Sequence, residues 1–536
     1  LKSHFVMATA TLRYCARTLE ADVGFGDIFL APASARIRGA LRSVREPSDL
    51  QRHEIGPGGE VLHLSSCGVT LPQAQTQDAE SPRHSSAASA TAWRDGAPVK
   101  TPWSALVYAR GQRPETANKM LSSALQLPPG ALRSSAALHL PGVSVQSVSL
   151  PRGLPAGITQ ETSKALHQGL MAAPGLVLAL GVPSKPPLLP AAVSMRSSAA
   201  RQRARRGEWR CEGHRYTAII RNMDARQYDA GHIEDSMERL REDGFVNLYE
   251  LSAFGSAEIR RYEVGAALWG GQWDLAARLL LAMNCGNENS AAGRAAAAFR
   301  RGDLAQGLEL LPEDGADGMR SLATQLLHKR PALQALQVAV PIPVWGRHLS
   351  AVAKLAWNHA AAARLAGHLP RRPIPGDLVW DSSAGEARRV AANEVEQWSL
   401  SDVVLPVPKR GDPVPEFSGR LRMEATLRRL VPGTDAPKEA FPHEVKMPEV
   451  RRLVGLPTDL SWDVVHAETA PVVDCDLARL GISIPIKTAE SPASAASRTG
   501  GGRKGRRLPG ASAHGASLAG LALRLRFSLP RGGSAE

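Results

Sequence analysis

The chain has 536 residues, 43% of them hydrophobic and 5% aromatic, and its 65 Lys and Arg against 51 Asp and Glu leave a net charge of +14. That length excludes a single small module and allows two or more domains with sizeable cores, while the basic excess points to a polyanion, nucleic acid first, as partner. Cys15, Cys67, Cys211, Cys285 and Cys475 form no CxxC pair and have no His at ligand spacing, which argues for a reducing compartment and against structural zinc; the best apolar run, APGLVLALGVP, is about half the ~20 residues of a bilayer span.

Residues 1–18 carry Lys2, His4, Arg13 and Arg17 and no acid. That is the composition of an organellar targeting remnant, or of a short basic arm that contacts RNA. From Leu19, LEADVGFGDIF and then DLQRHEIGPGGEVLHL (49–64) read as strands broken by a Pro-Gly-Gly turn. His53, Glu54 and His63 flank that turn and are expected to be ordinary strand polar residues, with no metal and no cofactor. Residues 69–92 are Ser-, Ala- and Gln-rich and lack apolar periodicity, as a loop insert does. WSALVYAR then predicts a strand and PETANKMLSSALQL a helix, followed by ALRSSAALHLPGVSVQSVSL.

Between residues 96 and 207, thirteen Lys and Arg stand against only Glu115 and Glu161, so the excess charge is concentrated. Within this stretch, residues 173–206 read as a second loop insert. Its Arg201, Arg203, Arg205 and Arg206 can contact several phosphates at once, with salt-dependent affinity. GEWRCEGHRYTAIIRN follows, and His232–Glu242 predicts a helix. The turn DGFVNLYELSAFG (243–255) leads into the amphipathic run SAEIRRYEVGAALWGGQWDLAARLLLAMN. Near the end, residues 489–516 are of low complexity. Gly500, Gly502 and Gly505 nominally satisfy GxGxxG there, but with no strand before and no helix after they describe a basic loop whose Arg503, Lys504, Arg506 and Arg507 would contact RNA. LALRLRFSLP follows it.

Several of these segments, in order, resemble the TruD family of pseudouridine synthases. EADVG and DLQRHEI are similar to the family's EADVG and DFxVxEI; HRYTAIIRN to its FxVxxRN; the 243–255 turn to its N[YL][YF]xxQRFG, with Asn247, Tyr249, Phe254 and Gly255 in place; AWNHAAAARL to its VWN helix, with Trp357 and Asn358; and the final strand to its ALxxxFxLP. The differences fall on reactive positions. Leu50 stands for a Phe that would stack on a base, Ser252 and Ala253 for Gln and Arg, and Ala353 for Gln. The catalytic motif GxKD[RK]xAxTxQ aligns on Val145 and Gln146, which puts Ser144 at the Thr, Gly142 at the Ala, Leu138 at the Lys and His139 at the Asp. The reaction breaks the bond from C1′ to N1 of uridine and rejoins the sugar to C5, and it needs a carboxylate at the sugar. No Asp occurs between residues 96 and 223.

The resemblance implies an α+β fold: a synthase-like domain over 19–255 with a mixed, mostly antiparallel sheet, a TruD-type α/β insert domain over 256–488, a basic loop over 489–516, and a strand in 517–536 returning to the first domain. Together with the altered motif it implies an RNA-binding protein that is not an enzyme, acting in the structure or assembly of an organellar ribosome. The expected partners are ribosomal RNA and ribosomal proteins, and the expected place is the mitochondrion, or else a plastid. The alternatives are an active pseudouridine synthase with a divergent site, or a free RNA chaperone. The RNA-contacting residues expected are Arg133, His139, Asn247, Tyr249, Phe254 and the two arginine-rich clusters above.

Overall fold

The structure is a computed structural model, and it describes residues 22–24, 37, 40–41, 46–56, 59–64, 104–110, 133–134, 142–149, 176–180, 211–223, 228–255, 259–283, 290–312, 318–366, 372–431, 449–466, 472–479 and 521–530. The chain folds as two compact units, one of Ala33–Arg241 with Pro457–Arg531 and the other of Leu1–Pro32, Glu242–Leu456 and Gly532–Glu536. The first is built on one sheet and the second mostly on helices.

In the sheet unit the strands are β1 (Ala40–Leu41), β2 (Leu50–Ile55), β3 (Ser104–Arg110), β4 (Arg133–Ser134), β5 (Val143–Ser149), β6 (Leu176–Leu180), β7 (Gly213–Arg221), β8 (Thr458–His466) and β9 (Leu521–Pro530). Their order is β8-β9-β7-β2-β5-β3-β6, with β1 also on β7 and β4 on β5. Among these pairs β2 and β5 run parallel and the rest antiparallel, so the mixed, mostly antiparallel sheet expected from the sequence is present. The last strand lies between β7 and β8, paired with β7 from Leu523 opposite Ile220 to Pro530 opposite Gly213.

Alternation explains the faces. Leu523 and Leu525 of β9 share one face with Ile220 of β7, and helix α1 (Ala230–Glu242) covers it with Ile233 and Met237. Trp462 of β8 joins this cluster, and the Arg241 guanidinium lies 4.8 Å from the centre of its ring, a cation–π contact that closes the end of the helix over the sheet.

In the helical unit the amphipathic run divides into α2 (Arg261–Trp269) and α3 (Trp273–Ala282). The break falls at Gly270 and Gly271, the latter at φ 67, where an L side chain is strained. There follow α4 (Ala291–Arg301), α5 (Leu304–Leu310), α6 (Met319–Leu327), α7 (Ala332–Ala339), the long α8 (Ile342–Leu365) and α9 (Arg420–Leu430). Ser290 caps α4 by accepting the Gly293 N–H at 3.0 Å. Helix α8 runs through the core, with Trp345, Leu349, Val352, Leu355, Ala356 and Trp357 buried. Helix α2 lies so close to it that a Cβ on Gly265 would fall 2.1 Å from the His348 carbonyl oxygen. A four-stranded antiparallel sheet joins these helices in the order Glu386–Arg389, Leu378–Asp381, Val403–Pro406, Val450–Arg452. Trp357 Nε1 donates to the Leu405 carbonyl on it at 3.3 Å. No helix among the described residues is long and apolar enough to cross a membrane.

Burial pushes the His348 imidazole down from 6.5 to about 4, against the hydrogen bond it makes with the Arg261 carbonyl. Because the folded value lies below the unfolded one, the unfolded chain takes up the proton first. Stability is therefore complete above about pH 6.5 and is lost as pH falls toward 4, by up to about 3 kcal/mol from this group. His359 is shifted in the same direction by burial. Denaturant unfolding from neutral pH down to about pH 4 is expected to show this slope, and His348→Asn to flatten it.

Candidate functional site

Strand β2 is polar yet buried. In DLQRHEI, Asp49, Gln51, Arg52, His53 and Glu54 are all buried, which requires each polar group to find a partner. Asp49, in the 3-10 turn before the strand, accepts two hydrogen bonds from Arg221 at the end of β7, from Nε at 2.6 Å and from Nη2 at 2.7 Å. This contact raises the Arg221 pKa above its ordinary value. Glu54 accepts from the backbone N–H and the hydroxyl of Ser147 on β5, at 2.7 and 2.8 Å. Arg52 Nη2 lies 2.7 Å from His214 Nε2, and Cys211 Sγ is 3.6 Å from the same nitrogen. The parallel neighbour β5 begins hard against β2, since a Cβ on Gly142 would stand 2.1 Å from the Leu50 carbonyl oxygen. Only glycine fits there.

Register sorts these residues between the two faces. Leu50 is opposite Ala218, Arg52 opposite both Tyr216 and Ser144, and Phe527 opposite Tyr216. Leu50, Arg52, Ser144, Gln146, Tyr216 and Phe527 thus share one face. On it the Tyr216 and Phe527 rings stack at 5.3 Å, 18° from parallel. Leu50, Ser144 and Gln146 are the positions that the resemblance assigns to the base and catalytic motifs, so two sequence-distant motif segments meet on one face.

The opposite face carries Gln51, His53, Val143 and Val145, and residues 472–479 cover it. Gln51 donates to the Val473 carbonyl at 3.3 Å. His53 and His63 both reach Asp476, and Leu64 N–H donates to the second oxygen of that carboxylate at 2.7 Å. Burial opposes ionisation of Asp476, but the hydrogen bonds from His53 and His63 outweigh it and hold the carboxyl well below the usual range. Burial lowers the His53 pKa despite that contact. His53 and His63, expected from the sequence to be ordinary strand polar residues, thus share one buried carboxylate. Their partner lies more than 400 positions away, beyond any spacing rule. Arg52, His214 and Cys211 were likewise not read as a group.

The residues expected to contact RNA fare differently. Asn247, Tyr249 and Phe254 are all buried in the helical unit. Asn247 donates to the Arg452 carbonyl and accepts from Arg451 Nη2, both at 3.0 Å. Arg451 lies over the Tyr249 ring at 3.9 Å, and the Trp357 ring meets Tyr249 edge-on. In this arrangement the three side chains do packing work and offer no surface to RNA. Arg133 lies in β4, opposite Ser149. His139, Arg201, Arg203, Arg205, Arg206, Arg503, Lys504, Arg506 and Arg507 fall outside the described residues.

The sheet, its buried polar strand and the motif face agree with the α+β fold that the resemblance implies. Residues 196–404 match the family described as tRNA pseudouridine synthase D (TruD), and the chain is a relative of the TruD-family pseudouridine synthases. It is 24% identical over 264 residues to a mouse protein named pseudouridylate synthase 7 homolog, covering 47% of this chain and 38% of that one. It is 22% identical over 292 residues to the human protein of that name, covering 52% and 42%. The chain thus spans about two fifths of the length of these relatives. A solved structure of the putative TruD from Methanosarcina mazei shares the fold, with a TM-score of 0.54 at 14% identity over 97% of this chain and 96% of that one.

These matches correct one expectation. A chain that is not an enzyme was inferred from the differences at Leu50, Leu138, His139, Ser252, Ala253 and Ala353, whereas the relatives it matches are named as synthases, which overturns that expectation. The inference was weak for a physical reason: charge at the sugar is a property of a site assembled from several strands and loops, and aligned positions alone do not report it.

Proposed function

We propose that this chain binds a structured RNA and converts a uridine in it to pseudouridine, and that the RNA is a ribosomal RNA of the mitochondrion. The observation that carries the reading is the face shared by Leu50, Ser144 and Gln146, where the base and catalytic motifs of the resemblance converge beside Arg52 and Tyr216. The net charge of +14 and the arginine-rich stretch 201–206 support an RNA partner held through phosphates. The acid-free composition of residues 1–18 supports the mitochondrial placement.

Purified protein incubated with mitochondrial ribosomal RNA is expected to introduce pseudouridine, read as new carbodiimide-dependent stops in reverse transcription. RNA that is bound but left unmodified would overturn the enzymatic reading, and His139→Ala reports whether the aligned position takes part. Sedimentation of the native protein with and without RNase tests the ribosomal part separately. Comigration with a subunit, lost after RNase, is expected; a small free species in both samples would refute it.

A further inference from the structure

Three side chains from distant parts of the chain converge against β2. His53 Nε2 lies 3.2 Å and His63 Nδ1 2.9 Å from Asp476 Oδ1, and the three atoms are all within 4.8 Å of one another. The other Asp476 oxygen accepts the Leu64 N–H, which fixes the plane of the carboxylate and leaves Oδ1 aimed at both imidazoles. That is how a supporting hydrogen bond orients a ligating group.

The spacing discriminates between uses. Around a tetrahedral ion with bonds of about 2.0–2.1 Å, neighbouring ligand atoms stand roughly 3.3 Å apart. The two separations from Asp476 Oδ1 differ from this by only a few tenths of an ångström and all three ligand atoms lie within 4.8 Å, so turning the two rings toward one another closes the cluster into a cage. The donor set, two imidazole nitrogens and one carboxylate oxygen, suits Zn²⁺ and its first-row neighbours, whereas Ca²⁺ and Mg²⁺ take oxygen ligands.

The surroundings fit as well. Leu62, Leu64, Tyr108, Val145, Cys475 and Leu477 form a buried apolar wall beside the cluster. The His53 and Asp476 side chains are nearly sealed, at 5% and 3% exposure, while His63 is 33% exposed. An ion can enter on the His63 side, where a water completes its coordination.

We propose that His53, His63 and Asp476 bind one divalent first-row transition-metal ion of the zinc class, which pins the 472–479 segment to β2. Each imidazole then carries its proton on the ring nitrogen facing away from the ion. The site is independent of the motif face and of the proposed reaction.

The test is equilibrium dialysis of the full chain, first stripped with a chelator, against Zn²⁺ alone, with metal content measured by elemental analysis. About one equivalent is expected, with affinity at least about tenfold weaker in His63→Ala and in Asp476→Asn and unchanged in Cys211→Ser. Cobalt in place of zinc is expected to give visible absorption bands in the wild type and to lose them in His63→Ala. His63 is partly exposed, so this variant decides the matter even if Asp476→Asn does not fold. Absence of stoichiometric binding in the wild type, or equal affinity in folded His63→Ala, would overturn the proposal.

Discussion

Asp49→Ala is expected to destabilise the sheet unit by about 3–5 kcal/mol, the usual cost of stranding one member of a buried ion pair. The pair is sealed, with Asp49 and Arg221 side chains 1% and 6% exposed, and both carboxylate oxygens are engaged. Removing the acid leaves a buried guanidinium that cannot lose its proton and has lost its counter-charge. The double variant Asp49→Ala/Arg221→Met is expected to recover much of the loss, because no charge then remains to be buried. Denaturant midpoints of the single and double variants measure the difference. A cost below about 1 kcal/mol for Asp49→Ala would mean that the pair is solvated, as surface pairs are. The consequence reaches the motif face, since Asp49 directly precedes Leu50 and Arg221 directly precedes Asn222, which is held at φ 59.

Some elements were legible through the resemblance: HRYTAIIR and LALRLRFSLP form β7 and β9, and AVAKLAWNHAAAARL lies within α8. Their partners were less visible, because strand order depends on contacts hundreds of residues apart. The 243–255 turn shows the limit of motif reading. Its Asn, Tyr and Phe were read as RNA contacts because they match the signature that, in the family resembled, closes the catalytic site. None of the three lies in a helix or strand, since the 3-10 helix spans only Leu251–Ala253, so no period tells which side is buried, and here the chain turns all three inward. The amphipathic run after it reads as one helix by period, but two adjacent glycines break it. His53, His63 and Asp476 were invisible as a group for a simpler reason. Asp476 lies 413 positions beyond His63, and no local pattern marks it.

The second large effect is expected from Asn358→Ala. Asn358 is fully buried on α8 and supplies three hydrogen bonds at once: Oδ1 accepts the Tyr249 N–H at 2.8 Å, and Nδ2 donates to the Tyr249 carbonyl at 2.9 Å and to the Val23 carbonyl at 3.1 Å. A side-chain amide is the group that matches a backbone N–H and C=O of one residue together, so this asparagine acts as a strand would for a segment that has none. Alanine strands all three backbone groups away from water. At roughly 1–3 kcal/mol for each buried group left unpaired, with partial relaxation, the loss is about 3–5 kcal/mol. Asn358→Asp keeps the acceptor for the Tyr249 N–H but sets a carboxylate against two carbonyls, and it is expected to cost at least as much. Hydrogen exchange separates this local effect from general weakening. The Tyr249 amide should lose protection under native conditions in Asn358→Ala, while amides of β7 keep theirs. Wild-type protection at Tyr249 in that variant would mean that the turn is held by packing on Trp357 and Arg451 alone.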